Sequence, residues 1–466
     1  MTWPASRLVC AGCGVQLDPA EPYPFRCPKA GCGDDVDHVL RRELDLEHVR
    51  LSFDSEPNPF IRYRRLLHAY HVAIAGGMRE EEFCRLVSGL DEAVAGVDGH
   101  GFAVTPFARS AELSDALGFS AGGGLWVKDE TGNVSGSHKA RHLFDVLLYL
   151  EVAERIGLTN PAERRELAIA SCGNAALAAA VVAAAAKRPL RVFVPVDAEP
   201  VVVARLEELG AAVTVCPRTP GTSGDPTYRR LLEGLAAGAL PFTCQGTLNG
   251  LAVEGGETLG YELAADLAGS STSLDRIVVQ VGGGALASAC YESLHEAVAL
   301  GVLGAVPRFD TVQTASAWPL RRAFAAVCAR ADGAPGAALA YARQHRSEFM
   351  WPWATEPRSI AHGILDDETY DWAAVVEGML ATGGAPLVVD EAALRRANAL
   401  AREYTGIDVD PTGTAGLAGL LALCERGEVA DDERVAVLFT GVARTPISHE
   451  KESNDEKLPR TRHLVA

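Results

Sequence analysis

The chain has 466 residues, of which 48% are apolar and 22% are charged. A chain of this length is expected to fold as two or three domains, and the composition is ordinary for a soluble α/β protein. The net charge of −18 disfavours binding to nucleic acid or to an anionic membrane surface. The longest apolar stretch, 175–186, is too short for a membrane span, which requires about 20 residues. No secretory signal is evident, and we expect a cytoplasmic protein.

Two short cysteine pairs mark the first segment, 1–45. Two residues separate Cys10 from Cys13, four separate Cys27 from Cys32, and each pair encloses a glycine. Pairs of this kind supply four thiolates to one zinc ion in a zinc ribbon. The alternative is a set of reduced, unliganded thiols in a loop-rich lead. The sequence therefore predicts a zinc-ribbon-like segment, in which any zinc would be structural.

After this lead, helical and strand-like patterns alternate. Repeated βα units predict an α/β fold with two doubly wound parallel sheets and a cleft between them. The predicted large domain combines 46–135 with 245–447, the smaller α/β domain is 136–244, and 448–466 is a mobile tail. Strands are predicted at 124–128, 167–170, 190–194, 212–215, near 241–243, 276–281 and 435–439, and helices at 140–157, from 174, and at 202–209, 228–234, 253–267 and 412–424.

Four motifs carry chemistry, and each lies beside a predicted strand or helix. A lysine at 139 can hold the aldehyde of pyridoxal phosphate as a Schiff base and later move the substrate's α-proton. Bare amides at a helix start can cradle the phosphate of this cofactor. An amide can reach its ring oxygen, and a hydroxyl can reach its ring nitrogen. In chain order the motifs are Lys139, Ser171-Cys172-Gly173-Asn174, Gly282-Gly283-Gly284-Ala285 and Thr440-Gly441.

Each motif alone also has a structural explanation. Most lysines are solvated, a glycine triplet can serve packing, Asn174 can be a helix N-cap, and Thr440 can begin a turn. The glycine loop lacks the spacing of a dinucleotide fingerprint or a phosphate-binding P-loop, which disfavours nicotinamide and ATP. The four motifs together predict a pyridoxal-phosphate enzyme acting on an amino acid. A hydroxyl at the ring nitrogen would favour elimination or replacement over transamination.

These motifs resemble those of the fold type II pyridoxal-phosphate enzymes, which are tryptophan synthase β-like, and especially those of the threonine synthase group. That group carries Asn-Pro-Thr-Gly-Ser-Phe-Lys-Asp-Arg around its lysine, where this chain has Asn133 to Arg141. The resemblance extends over roughly Cys10 to Pro446, including Glu254 to Thr258 and Asp410 to Gly413. It implies a homodimer, with Lys139 as the Schiff-base lysine, Asn174 at the ring oxygen, Gly282, Gly283, Gly284 and Ala285 at the phosphate, and Thr440 at the ring nitrogen.

The resemblance implies conversion of O-phospho-L-homoserine to L-threonine and phosphate. Lys139 would move protons between Cα and Cγ of the substrate. Ser135, Ser137 and Arg141 are predicted to hold the leaving phosphate, since the guanidinium fork matches phosphate oxygens. Ser171 is predicted to bind the substrate.

Some residues depart from the threonine synthase pattern. Val134, His138 and Ala140 replace proline, phenylalanine and aspartate, and the segments 282–286 and 359–363 are similar to those of threonine and serine dehydratases. The alternative function is therefore an ammonia-lyase of the dehydratase type, or a β-replacement enzyme. A protein that binds its ligand without catalysis, or a regulatory subunit, is a further alternative. We expect His138 to pack rather than to act as an acid or base.

Overall fold

The computed structural model describes residues 5–31, 33–218, 224–270 and 272–444. The predicted mobile tail, 448–466, and Cys32 lie outside these ranges. No helix within the described ranges is long and apolar enough to cross a bilayer.

The N-terminal segment is a two-stranded antiparallel ribbon followed by helices. Ser6 pairs with Leu44 and Cys10 with Leu40, so the ribbon closes the base of the cysteine-containing loop. The third helix begins with three glutamates, which favour a helix N-terminus, and ends at Gly99 in a left-handed conformation. The elements are β1 (Ser6–Cys10), β2 (Leu40–Leu44), α1 (Pro59–Arg62), α2 (His68–Ala75) and α3 (Glu80–Asp98).

The chain then forms the edge of a large sheet. The first strand of this part is an antiparallel edge strand, and the second lies inside the sheet. A tight turn at 134–136 leads into a long helix that is buried along nearly its whole length. The elements are β3 (Phe107–Arg109), α4 (Ala111–Ala116), β4 (Gly124–Asp129) and α5 (Lys139–Arg155).

A second, smaller sheet follows, and its four strands are parallel in the order β7-β6-β5-β8. Its central strands are nearly continuous apolar runs, as expected of strands covered on both faces. The elements are β5 (Leu167–Ala170), α6 (Asn174–Ala185), β6 (Leu190–Pro195), α7 (Pro200–Glu208), β7 (Ala212–Cys216), α8 (Pro226–Ala236) and β8 (Leu240–Pro241).

The remaining chain returns to the large sheet and completes it. Its six strands have the order β11-β10-β9-β12-β4-β3, and all neighbours are parallel except β3 and β4. The elements are α9 (Leu251–Ser270), β9 (Arg276–Gln280), α10 (Ala285–Ala299), β10 (Arg308–Thr314), α11 (Pro319–Arg330), α12 (Pro335–Gln344), α13 (Trp372–Thr382), β11 (Pro386–Val389), α14 (Glu391–Thr405), α15 (Ala415–Glu425) and β12 (Arg434–Phe439).

The predicted α/β fold with parallel sheets is confirmed. The predicted strand 167–170 has the same ends as β5, while the helix predicted at 228–234 starts earlier, because Asp225 caps α8 at Pro226. The sequence patterns left β10, β11 and the helices around them unassigned. Polar residues interrupt β10, where the buried Asp310 pairs with Arg276 of the neighbouring strand. An apolar-run criterion therefore passes over this strand.

Helix α5 packs closely against α9 because two residues of α9 at the contact are glycines. A Cβ atom on Gly255 would collide with the backbone carbonyl of Arg141, and one on Gly256 would collide with the ring of His142. The two helices therefore approach more closely than larger residues would allow. This contact fixes the first turns of α5, where Lys139 lies.

The ribbon is joined to α9 and α10 by one buried arginine. The Arg42 side chain is 2% exposed and forms ion pairs with Glu254, Glu257 and Glu296. Its guanidinium also donates to the hydroxyl of Tyr261, 2.9 Å away. The ribbon therefore places a buried positive charge between α9 and α10.

Arg141 was predicted to hold the substrate's phosphate, and the structure places it elsewhere. Its guanidinium is fully buried and donates to both carboxylate oxygens of Glu130 and of Glu262. The remaining contacts are with the hydroxyls of Thr105 and Thr258. Burial opposes ionisation of Glu262, but Arg141 and Lys128 keep its pKa below the ordinary value. Every donor of Arg141 is thus used inside the protein, and none remains for a phosphate.

Replacing Arg141 by methionine is expected to reduce the free energy of unfolding by about 3–5 kcal/mol. The substitution would leave the buried carboxylate of Glu130 without a cation, and that of Glu262 with Lys128 alone. Urea denaturation measures the loss. Arg164→Met, which removes the partly exposed pairing with Glu154, is the control and should cost less than about 1 kcal/mol. Wild-type stability in Arg141→Met would contradict this account of the network.

Candidate functional site

The lysine loop lies against the end of β12. Ser137 forms an isolated β-bridge with Gly441, and the amide of His138 donates to the carbonyl of Thr440 at 3.2 Å. Ser135 has a φ of 57°, an unusual value for a residue other than glycine. Helix α5 starts directly afterwards at Lys139, whose side chain is half-buried. Lys139 therefore lies where the loop, the helix and the large sheet meet.

Asn174 is brought to the same place from the smaller sheet. It begins α6, directly after β5, and its Nδ2 lies 3.5 Å from a carboxylate oxygen of Asp410. A Cβ on Gly441 would lie 2.6 Å from that Nδ2, so the glycine permits the approach. Burial raises the pKa of Asp410 to about 6. The two sheets thus meet at Asn174 and Gly441.

Thr440 is buried at the end of β12, and its hydroxyl accepts a hydrogen bond from Gln280 Nε2 at 2.8 Å. The same amide group donates to the carbonyls of Gly413 and Leu438. Since Gln280 already donates to the hydroxyl oxygen, the proton of Thr440 is free to point elsewhere. Sequence reasoning did not single out Gln280. A lone polar residue within the apolar run 277–281 was the available signal.

The glycine loop connects β9 to α10. Gly284 has a φ of 102°, which favours glycine, and α10 begins at Ala285. The hydroxyl of Thr369 donates to the carbonyl of Gly282 at 3.0 Å, and the amide of Asp371 donates to that of Gly283 at 3.0 Å. These bonds fix the loop's carbonyls to a neighbouring segment and leave its amides at the helix N-terminus.

The residues fit an anion at this loop. The carboxylate of Asp366 lies so close that a Cβ on Gly282 would collide with its Oδ2. Burial raises the pKa of Asp366 to about 6, while Lys139 and the amide of Gly283 oppose that rise. A carboxylate at this position stands in for a bound anion, and it brings Lys139 and the glycine loop into one electrostatic environment.

Two of the three predicted substrate-binding serines precede Lys139 in its loop, and the third follows β5. The hydroxyls of Ser135 and Ser137 are buried and lack hydrogen-bond partners among the described residues. Ser171 follows β5, and its hydroxyl accepts from the amide of Gly173 at 3.4 Å. Unpaired buried hydroxyls are uncommon, which suits a site that binds a polar ligand.

His138 packs inside the site. Its Nδ1 lies 3.1 Å from the carbonyl of Thr440, and its ring contacts that of His142 edge-on. Burial, aided by the charge of Lys139, holds the pKa of His138 well below the ordinary value. A neutral imidazole bound to a backbone carbonyl orients the loop.

Three of the predicted metal-binding cysteines lie together in the ribbon. The sulfurs of Cys13 and Cys27 are 3.6 Å apart, and the sulfur of Cys10 is 3.4 Å from Nδ1 of His38. All four ligand atoms lie within 4.8 Å of one another. The fourth predicted ligand, Cys32, is outside the described residues. His38 was missed, although its position after the second cysteine pair was a signal.

Comparison with known proteins agrees with this geometry. Residues 100–441 match the family of pyridoxal-phosphate dependent enzymes. The threonine synthase of Methanosarcina acetivorans is 26% identical over 340 residues, covering 72% of this chain and 74% of its own length. That of Methanocaldococcus jannaschii is 25% identical over 343 residues, with the same shares of the two chains.

Solved structures show the same fold. Threonine deaminase isoform 2 from Solanum lycopersicum superposes with a TM-score of 0.56 at 16% identity, covering 78% of this chain and 91% of that one. Maize serine racemase superposes with a TM-score of 0.55 at 17% identity, covering 76% and 93%. The family match, 100–441, covers most of the chain and includes Lys139, Asn174, the glycine loop and Thr440. The chain therefore belongs to the family of pyridoxal-phosphate dependent enzymes.

Proposed function

We propose that this enzyme is a lyase that resembles threonine synthase and converts O-phospho-L-homoserine and water to L-threonine and phosphate, with phosphate leaving Cγ and water adding at Cβ. The contact that carries the proposal is the docking of the lysine loop on Thr440, which supports a catalytic lysine opposite a hydroxyl. The similarity to two archaeal threonine synthases supports the substrate. The predicted homodimer stays a prediction.

Each residue of the site has a distinct role in this proposal. When bound, pyridoxal phosphate would withdraw electrons from the substrate's α-carbon. Lys139 would bind the cofactor's aldehyde carbon, and its Nζ would move protons between Cα and Cγ of the substrate. Thr440, oriented by Gln280, would donate to the ring nitrogen. Asn174 would donate to the ring oxygen, and residues 282–285 would hold the phosphate.

A different arginine can take the role predicted for Arg141. The half-buried Arg444 donates from Nη2 to the carbonyl of Ser135 at 2.8 Å, which places a cation beside the unpaired hydroxyl of that serine. Burial lowers the pKa of Arg444, and Asp410 opposes this effect. We propose that Arg444, with Ser135 and Ser137, holds the phosphate that leaves the substrate.

The alternative is a dehydratase-type ammonia-lyase. The loop sequences at 282–286 and 359–363 favour it, and Arg141 has no free donor for a phosphate. Such an enzyme would convert threonine to 2-oxobutyrate. A β-replacement enzyme would instead require a second nucleophilic substrate.

Incubating the purified enzyme separately with O-phosphohomoserine and with threonine distinguishes the two functions. We expect threonine and phosphate from the first substrate, and little 2-oxobutyrate from the second. Lys139→Ala should lose the visible absorbance of bound cofactor together with turnover, since no other residue would bind the aldehyde. Full turnover by Lys139→Ala would refute the assignment, and 2-oxobutyrate as the main product would establish the alternative.

Arg444→Ala is expected to raise the KM for O-phosphohomoserine by about tenfold or more, because a charged hydrogen bond to the phosphate is lost. Cofactor absorbance should remain unchanged. Arg426→Ala removes an exposed arginine and serves as the control. An unchanged KM in Arg444→Ala would exclude this arginine from substrate binding.

We also propose that Cys10, Cys13, Cys27 and His38 bind a structural zinc ion. The distance of 3.6 Å between the sulfurs of Cys13 and Cys27 is near the value of about 3.8 Å expected for tetrahedral zinc thiolates. The other ring nitrogen of His38 lies 2.8 Å from a carboxylate oxygen of Asp34, which would orient the ring for a metal.

Metal analysis of purified protein tests this ligand set. We expect about one zinc per chain in the wild type and in Cys32→Ser, and much less in Cys27→Ser and His38→Ala. Cys328→Ser, which changes an exposed cysteine of α11, controls for the loss of a thiol. If Cys32→Ser lost the metal while His38→Ala kept it, the four-cysteine set would be correct instead.

A further inference from the structure

The glycine loop is covered by the segment 361–371. Besides the two hydrogen bonds to its carbonyls, the loop lies directly under side chains of this segment. A Cβ on Gly283 would lie 2.9 Å from the ring of Tyr370, and one on Gly284 would lie 3.2 Å from Cβ of Asp371. Three successive glycines therefore allow the segment to rest on the loop without a gap.

Asp366 is the residue of this segment that reaches the anion position. Its Oδ2 occupies the space next to Gly282, and its Cγ would lie 3.8 Å from a Cβ on Gly283. The amide of Gly283 stabilises the ionised carboxylate, as expected at the N-terminus of α10. The proposed function assigns this position to the cofactor's phosphate.

Two anions cannot share the position without a large electrostatic cost. A phosphate carries a charge of about −2 at neutral pH, and like charges a few ångströms apart repel strongly where water is scarce. Lys139 is the cation that most favours the ionised carboxylate, whereas Asp367 and Asp225 disfavour it. Binding of the phosphate therefore requires Asp366 to move away or to take up a proton.

We infer that Asp366 is an internal anion that occupies the glycine loop and competes with the phosphate of the cofactor. The segment 361–371 is then a strap over the loop, and the phosphate must displace the carboxylate that it carries or bind beside its protonated form. The inference rests on the proposed position of the phosphate. It adds a residue of this chain that opposes cofactor binding.

The competition depends on pH in a defined direction. The pKa of Asp366 is raised to about 6 by burial, so the carboxylate is mostly ionised at pH 8 and mostly protonated at pH 5. Competition should be strong at pH 8 and weak at pH 5. The groups that influence Asp366, or are influenced by it, are Lys139 on α5, Asp225 before α8, Cys244 after β8, and Asp367 and Tyr370 on its own segment.

Titration of cofactor-free protein with pyridoxal phosphate, followed by visible absorbance, tests the inference. Asp366→Asn should bind the cofactor about tenfold more tightly than the wild type at pH 8, and the ratio of the two Kd values should approach one at pH 5. Taking the ratio cancels the titration of the cofactor and of Lys139. Asp367→Asn removes the same charge one residue away and should change the Kd much less.

Pyridoxal, which lacks the phosphate, separates competition from a general change in the site. Asp366→Asn should leave the Kd of pyridoxal at the wild-type value. An equal gain for both aldehydes, or no gain for pyridoxal phosphate, would overturn the inference. Asp366→Ala provides a second variant if the asparagine protein folds poorly, with thermal unfolding as the check.

The inference and the proposed function fail in different ways. If wild-type protein bound pyridoxal phosphate through Lys139 while Asp366→Asn bound it no more tightly, only the inference would fall. If neither protein bound the cofactor, both would fall.

Discussion

The position of Lys139 depends on a buried network of ion pairs two residues further along α5. Arg141 joins Glu130, which follows β4, to Glu262 on α9, and Lys128 joins the same Glu262 from the strand itself. All four side chains are buried. In the protein interior, ion pairs are stable only when their geometry is good and every donor has an acceptor. The network therefore fixes the helix start relative to both the sheet and α9. Lys139, the proposed Schiff-base residue, begins this helix and is therefore held in the same position.

The site is assembled where parallel strands of two sheets end. Strands β12 and β9 of the large sheet lead to Thr440 and to the glycine loop, and β5 of the smaller sheet leads to Asn174. Helix N-termini and loop amides gather at this edge of an α/β sheet, so anionic ligands are favoured there. The candidate site is thus formed by residues that are far apart in the sequence but lie at the carboxyl ends of the strands.

Much of the fold was predictable because βα repeats produce a strong alternation of apolar strands and amphipathic helices in the sequence. The apolar runs at 167–170, 276–281 and 435–439 correspond to β5, β9 and β12. Asn174, after β5, approaches Gly441, after β12. Local patterns could not reveal the partners of Arg141, since Glu262 lies 121 residues away. His38 and Gln280 did carry local signals, a position after the second cysteine pair and a polar residue within an apolar run, but these signals did not name their partners. Their roles depend on contacts that only the folded chain creates.

The segment over the glycine loop was also beyond sequence reasoning. Ser359 to Gly363 suggested a dehydratase-like stretch, but nothing local indicated that Asp366 would meet Gly282. The sequence predicts that the glycines leave space for a phosphate, and in the structure the carboxylate of Asp366 lies beside Gly282. Because the glycines have no side chains, the loop can accept either the proposed phosphate or the carboxylate of Asp366.

Arg42 gives the N-terminal ribbon a role beyond any metal. Its guanidinium is the counter-ion for three carboxylates, two on α9 and one on α10. Burial already raises the pKa of Glu254 and Glu257 well above the ordinary value with this arginine in place. A chain trimmed back to residue 46 would leave those acids uncompensated, so they would have to remain protonated or draw water into the core. The ribbon therefore shares a buried charge network with α9 and α10, and its removal is expected to destabilise that part of the core.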